Sequence, residues 1–293
     1  MLAIILGMTI RNTVGVTKAM QDGIRFSMRR LLRLAIMLLG FQISMSQIWQ
    51  VGGLGFVIVA TTLVSTFLFT VWLGRRLGID PKVTELIAAG TSICGASAIV
   101  ATNTVTEGSD EDVAYSIAVI TALGTVSILL YPLAATALGM PSPSYGLWTG
   151  ASIHEIAQVL AAAFQGGSVS AQYGAISKLS RVMMLAPVVF LLGYLATRQR
   201  SAKGNTAKVP TPWFLIGFLA MIGVNSLGLL SKAWTANLVT ANQFLMAVAL
   251  AAMGLETSVA KLKAAGMRPF LLGSGAWVFI SVLSLGLIRA FYW

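Results

Sequence analysis

The chain has 293 residues, 57% of them hydrophobic and 10% charged, and a mean hydropathy of +0.84. A soluble domain carries roughly 25% charge and 45–50% apolar residues, so this composition points to a polytopic membrane protein. Twenty basic residues against nine acidic give a net charge of +11, but they fall in short clusters between apolar runs, with no continuous basic face and no aromatic platform, which excludes a nucleic-acid partner.

In chain order, apolar runs occur at 2–10, 31–48, 53–73, 83–102, 113–138, 144–165, 174–197, 213–231, 235–254 and 270–291. The first covers roughly 14 Å as a helix, too short for a hydrocarbon core of ~30 Å. It is not expected to be a signal peptide either, because neither a basic leader nor a cleavage-like site flanks it. The other nine are long enough to cross. Arg11, Lys18, Arg25, Arg29 and Arg30 precede the second run, and Arg75, Arg76 and Lys82 follow the third. Arg198, Arg200, Lys203 and Lys208 follow the seventh, and Lys261, Lys263 and Arg268 lie between the last two. The stretch 103–112 instead holds Glu107, Asp110, Glu111 and Asp112. This alternation places the basic loops in the cytoplasm, the acidic loop and both chain ends outside. Residues 1–293 are expected to form one integral membrane domain, with a short cytoplasmic linker at 198–212, in contact with membrane lipids.

Two internal echoes are present. "LLGFQISMSQIWQVGGLGF" (38–56) aligns on "AMGLETSVAKLKAAGMRPF" (252–270), pairing Gly40 with Gly254, Ser44 with Ser258, Gly52 with Gly266 and Phe56 with Phe270. By loop charge these copies run in opposite directions, as in the inverted repeats of secondary transporters. "GTSICGASAIVA" (90–101) aligns on "GASIHEIAQVLA" (150–161), pairing Gly90 with Gly150, Ser92 with Ser152 and Ile93 with Ile153. Here the charges give both copies the same direction. Three explanations stand open: an accidental match, a re-entrant segment, or a span count that is off by one.

The second echo carries the chemistry. Gly90, Thr91, Ser92, Gly95 and Ser97 replace the leucines that a span prefers, which suits either close helix packing or a broken helix whose free N–H groups face an anion. Its partner carries Gly150, Ser152, His154, Glu155 and Gln158, and ionisable groups at membrane depth are expensive. His154 titrates in the useful range and can relay protons, or simply bond a neighbouring helix. "HEIAQ" lacks the second histidine of a zinc hydrolase, and Cys94 and His154 are the chain's single Cys and His, so no metal or other cofactor is expected. A serine hydrolase dyad of Ser92, Ser97 or Ser152 with His154 is disfavoured, because Ser152 and His154 face apart on a helix; no enzyme is expected. Lys178 and Arg181 share a helix face and either attract anions or snorkel to headgroups. Lys82 and Glu85 form an expected interfacial pair, and Pro132 and Pro187 imply kinks.

"AGTSICGASAIVAT", "GASIHEIAQVLAAAF", "ISKLSRVMMLAPVVFLL" and "LAAMGLETSVAKLKAAGMRPF" resemble the signature stretches of the YeiH-type sulfate exporter family of bacterial inner-membrane proteins. The resemblance runs from residue 2 to the C-terminus, and the family is similar in organisation to bile-acid:sodium symporters and cation/proton antiporters. It implies an all-α, polytopic transmembrane helix bundle with inverted repeats, two broken crossing helices and alternating access. Family members carry a further hydrophobic segment before "LAIILGM", so the N-terminal segment is expected to be truncated.

The expected function is therefore a multi-pass transporter of the bacterial inner membrane that exports a small sulfur-containing anion, sulfate or sulfonate-like. The substrate site is expected at Gly90, Thr91, Ser92, Gly95, Ser97, Gly150, Ser152 and Gln158, with Arg181 attracting the anion and His154 or Glu155 exchanging the coupling proton. The alternatives are a sodium- or proton-coupled carrier of another small solute and a non-transporting membrane scaffold. A homo-oligomer is compatible with each.

Overall fold

The computed structural model describes residues 2–42, 45–202, 213–256 and 266–292, which are helical throughout with no strand among them. Among the described residues, four stretches are long and apolar enough to cross a membrane: Gly53–Arg76, Asp110–Leu138, Ser168–Arg198 and Arg268–Phe291. Before the first of these lie α1 (Leu2–Thr13), α2 (Lys18–Phe26), a π-helical turn (Ser27–Leu31), α3 (Leu32–Leu38) and a 3-10 turn (Leu39–Gln42). The first crossing stretch belongs to α4 (Met45–Arg76).

The segment after α4 does not span the membrane. Helix α5 (Pro81–Ser92) stops at Ile93, and α6 (Ala96–Thr106) starts after Gly95. At 1.5 Å per residue each arm is about 16–18 Å long, half of a hydrocarbon core. The arms fold back on each other. Lys82 Nζ at the start of α5 donates to Glu107 O (2.7 Å), and Thr106 Oγ1 donates to Glu85 Oε2 (2.8 Å). The start of α5 and the end of α6 are thus on one face, and 81–107 is a re-entrant hairpin.

The chain then crosses in α7 (Asp110–Leu138), whose start carries a Ser109–Asp112 capping box and three acids that complement the helix dipole. On the far face a second hairpin begins: α8 (Ser142–Ser152), a break at 153–155, α9 (Ile156–Ala163) and a 3-10 turn (Phe164–Gly166). Tyr145 Oη at its start donates to Ala162 O at its end (2.9 Å), so this unit also returns to the face it left. The remaining elements are α10 (Ser168–Met183), α11 (Leu185–Ala202), α12 (Phe214–Ser226), α13 (Lys232–Glu256) and α14 (Arg268–Phe291). α10 runs parallel to α8, close enough that a Cβ on Gly146 would lie 2.3 Å from Ser170 O, and one on Gly150 2.4 Å from Gly174 O. Pro187 falls in the first turn of α11, where the chain has already stepped out of α10 at Met184 and no helical N–H is missed.

Helix α14 fixes the two faces. It runs parallel to α7, with Tyr115 Oη donating to Gly266 O (2.8 Å) near the first face and Trp277 Nε1 donating to Ser127 Oγ (2.8 Å) deeper in. Its far end reaches the foot of the second hairpin, where Ser144 Oγ donates to Tyr292 O (3.2 Å). The first face therefore holds Arg75, Arg76, Lys82, the acids Glu107 to Asp112 and Arg268. Glu107 and its neighbours were expected on the opposite side from Arg75 and Lys82; the hairpin returns them to the same side. Each fold-back removes one crossing, so Arg75, Arg76, Lys82 and Arg268 lie together on the first face. Positive-inside orientation survives.

The fold-backs also resolve the direction of the second echo. The unit hairpin-plus-α7 contains one crossing, and hairpin-plus-α10/α11 contains one crossing. An odd number of crossings inverts the next copy. The repeat is an inverted one, with one hairpin inserted from each face, and the segments at 83–102 and 144–165 are re-entrant. The 38–56/252–270 echo has Ser44, Ser258 and all of 257–265 outside the described residues, as is 203–212 of the linker.

Candidate functional site

The two hairpins break at aligned positions. α5 ends at Ser92 and α8 at Ser152; Ile93 and Ile153 follow, both fully buried; Gly95 and Glu155 are the N-caps of α6 and α9. Gly95 has φ 75° and ψ −131°, a conformation open to glycine and strained for other residues. The tips touch: a Cβ on Gly95 would lie 2.7 Å from Glu155 Cγ and 3.4 Å from His154 O.

A helix that ends inside a membrane exposes carbonyls with no water to bond them. Here α10 supplies the donors. Lys178 Nζ donates to Ile93 O and to Ile153 O, 2.9 Å each, one carbonyl from each tip. Arg181 Nε donates to Ser92 O (3.0 Å), Nη1 to Gly150 O (3.2 Å) and Ile153 O (3.1 Å), and Nη2 to Thr91 O. Both cations are 0% exposed. They sit at the negative ends of two helix dipoles, the favourable place for positive charge. Their long side chains do not snorkel; they tie the two tips together.

The amino ends of the returning arms are treated differently. α9 is capped by the Glu155 carboxylate in a reciprocal box with Gln158, whose Oε1 accepts from Glu155 N (3.2 Å). Thr121 of α7 buttresses the box: its Oγ1 donates to Glu155 Oε1 (3.1 Å) and its carbonyl accepts from Gln158 Nε2 (3.1 Å). Gly124, one turn on, leaves the room that Gln158 needs, since a Cβ there would lie 2.0 Å from Gln158 Oε1. α6 has no side-chain cap. Thr91 Oγ1, Ser92 Oγ and both ring nitrogens of His154 are buried without a hydrogen-bond partner. Buried polar atoms are normally satisfied, so each of these is a place for water or a polar ligand.

The residues anticipated from sequence thus converge, though not in equal roles. Gly90 and Gly150 serve packing: a Cβ would meet Ile120 Cδ1 at 2.2 Å in the first case and Gly174 O at 2.4 Å in the second. Ser152 Oγ donates to Trp148 O within its own helix, and Ser97 is half-buried in the first turn of α6. Thr91, Ser92, Gly95, His154, Glu155, Gln158 and Arg181 all lie at the junction. Lys178 shares Arg181's task, and the i,i+3 spacing was its signal. Thr121 and Gly124 carried none, because threonine and glycine are ordinary residues in a span. Lys82 and Glu85, expected to pair, instead each reach the other arm of their hairpin.

Such a polytopic α-helical bundle, with two opposed re-entrant hairpins meeting at buried cations, defines an inner-membrane protein built on an inverted repeat. The chain belongs to the family described as Conserved hypothetical protein 698, whose model matches residues 1–273. It is 40% identical to the UPF0324 inner membrane protein YeiH of Salmonella typhi, over 95% of this chain and 82% of that one. A UPF0324 membrane protein of Yersinia pestis is 37% identical over 98% of this chain and 83% of its own length. One from Agrobacterium fabrum is 38% identical over 98% and 82%. No solved structure matches.

Proposed function

We propose that the protein is a secondary transporter that carries a small anion, of the sulfate or sulfonate class, by alternating access at the junction of the hairpin tips. The observation that carries this reading is the charge at the junction. Two fully buried basic side chains, Lys178 and Arg181, meet the tips beside one carboxylate, Glu155, a formal excess of one positive charge. Uncompensated charge in a low-dielectric site is costly, and a bound anion relieves it. Amino ends of half-helices and unpartnered hydroxyls are the groups that bind oxyanions without a metal. Hairpins inserted from opposite faces give each side of the membrane its own gate to one site. In this reading His154 or Glu155 exchanges the coupling proton, and export is the working direction.

A sodium-coupled carrier is the second reading, and a scaffold the third. Sodium would bind the carbonyls freed at the breaks, but those of Thr91, Ser92, Gly150, Ile93 and Ile153 already accept from Lys178 and Arg181. The Ser–His hydrolase reading gains no support, since Ser152 Oγ is bonded to Trp148 O and His154 has no partner.

The test is transport in proteoliposomes loaded with sulfate, sulfite or methanesulfonate, with chloride as control, at several pH values and with or without sodium. Saturable oxyanion efflux independent of sodium supports the reading. Sodium dependence with no anion selectivity favours the second, and no flux or ligand-induced thermal shift favours the scaffold. Efflux unaltered by His154→Ala and by Glu155→Ala removes the coupling role from both.

A further inference from the structure

We propose that the Glu155 carboxylate is a tethered anion: it occupies the seat that the substrate anion takes, so that binding requires Glu155 to be protonated or withdrawn. The proposal rests on the anion-carrier reading and deepens it, because it turns a coupling residue into a direct competitor.

The geometry supplies three independent supports. First, the carboxylate caps the amino end of α9 and also lies against the amino end of α6: its Oε1 would be 3.5 Å from a Cβ on Gly95, the residue that caps α6 with no side chain. The positive ends of two half-helices therefore converge on one negative group, where a free anion is also best placed. Second, the seat is made for exchange rather than permanence. Glu155 is only half-buried, whereas the cations behind it are fully buried and bound to several carbonyls. Third, the side-chain polar atoms of Thr91, Ser92 and His154, residues of the same two tips, are buried without a hydrogen-bond partner. The carboxylate accepts from the backbone of α9 and from Thr121; a tetrahedral oxyanion has more oxygens to offer such groups.

The arrangement explains why one tip carries the acid and the other a glycine. Gly95 leaves the space into which the carboxylate fits, and any side chain there would collide with it. It also sets the stoichiometry of coupling. If the acid must be neutral for the anion to bind, each anion enters with one proton. No bond is made or broken beyond this proton transfer from solvent to the carboxylate.

The charged and titratable groups around Glu155 are Lys178 and Arg181 on α10, Cys94 on the first hairpin and His154 on its own loop; α7 contributes Thr121. Of these His154 is the rival source of a proton, so the experiment separates the two. Purified protein is titrated calorimetrically with sulfate and with methanesulfonate between pH 5.5 and 8, in buffers of different ionisation enthalpy to count protons taken up. The wild type is expected to bind more tightly as pH falls, with about one proton taken up per anion. Glu155→Gln, which can still accept from Gln158 N, is expected to bind roughly tenfold more tightly at pH 7.5 or better, with proton uptake abolished. Thr121→Val, which only loosens the carboxylate, should tighten binding by a few-fold and keep the uptake; it covers the case in which Glu155→Gln does not fold. His154→Asn should retain the uptake. Weaker or unchanged affinity in both Glu155→Gln and Thr121→Val overturns the proposal. So does uptake that persists in Glu155→Gln and vanishes in His154→Asn. Binding of neither anion by any of the proteins overturns the anion reading itself and this proposal with it.

Discussion

The two hairpin tips have one backbone plan and opposite chemistry. Both interrupt a helix after a serine, bury an isoleucine, and offer that isoleucine's carbonyl to Lys178. The first tip then continues with Cys94 and Gly95, the second with His154 and Glu155. The later spans repeat the relation. Thr121 on α7 and Arg181 on α10 are 60 residues apart, the same offset that separates the tips, and each reaches the tip inserted from the opposite face. One span offers a hydroxyl to a carboxylate, the other a guanidinium to carbonyls. Symmetry of the fold thus builds the junction, and the two tips differ in the chemistry they bring to it. The symmetry and the asymmetry can each be broken by experiment.

The all-or-none test concerns sidedness. In a Cys94→Ser background, Asp110→Cys and Gln165→Cys place single thiols at the exposed feet of the first and second hairpins. A membrane-impermeant maleimide should label Gln165→Cys in right-side-out vesicles and Asp110→Cys only after permeabilisation. Labelling of both from one side would break the opposed arrangement.

Next in size is the shared anchor. Arg181→Met removes the donors to carbonyls of both tips, leaving buried acceptors unpaired in a water-free setting. A loss of roughly 3–5 kcal/mol is expected, read as a collapse of the melting transition in detergent. Arg181→Lys keeps the charge but loses the planar fork and should recover only part of it.

The aligned glycines should then differ in a defined order. Gly150→Ala drives a methyl into the Gly174 carbonyl of a helix that cannot withdraw, whereas Gly90→Ala meets the far ends of Ile120 and Ile99 side chains. Overpacking costs of roughly 1–3 kcal/mol apply, with Gly150→Ala at the upper end and Gly90→Ala at the lower. Equal melting shifts would mean that the two hairpins pack alike.

Much of the junction was legible in the sequence because helix interruption leaves a local mark. Glycine and hydroxyl residues in place of leucine, repeated at a constant offset, marked the two stretches in which the breaks fall. The fold-back was not legible in the same way. The stretches 83–102 and 144–165 are as long and apolar as true spans, and what turns them round is contact between residues far apart in sequence, such as Lys82 with Glu107 and Tyr145 with Ala162. Counting them as crossings put the acidic loop on the wrong side, although the conflict in direction was visible and had re-entry among its solutions. Lys178 and Arg181 could be paired from their spacing, but burial was undecidable, since a lysine near a span end can snorkel or anchor depending on what the neighbouring helices leave unbonded.

The smallest effect tests the asymmetry most directly. Thr121→Val is nearly isosteric and removes one hydrogen bond, that from Oγ1 to Glu155 Oε1. The Thr121 carbonyl still holds Gln158, so the capping box persists. Because Glu155 is half-buried and retains its bond to α9, the expected loss is about 1 kcal/mol, a melting shift of a few degrees. A loss comparable to that of Arg181→Met would mean that the carboxylate is a structural pillar of the second tip, as firmly held as the cations. A small one leaves the acid as the loosely held member of the junction, which is the property that an exchangeable anion requires.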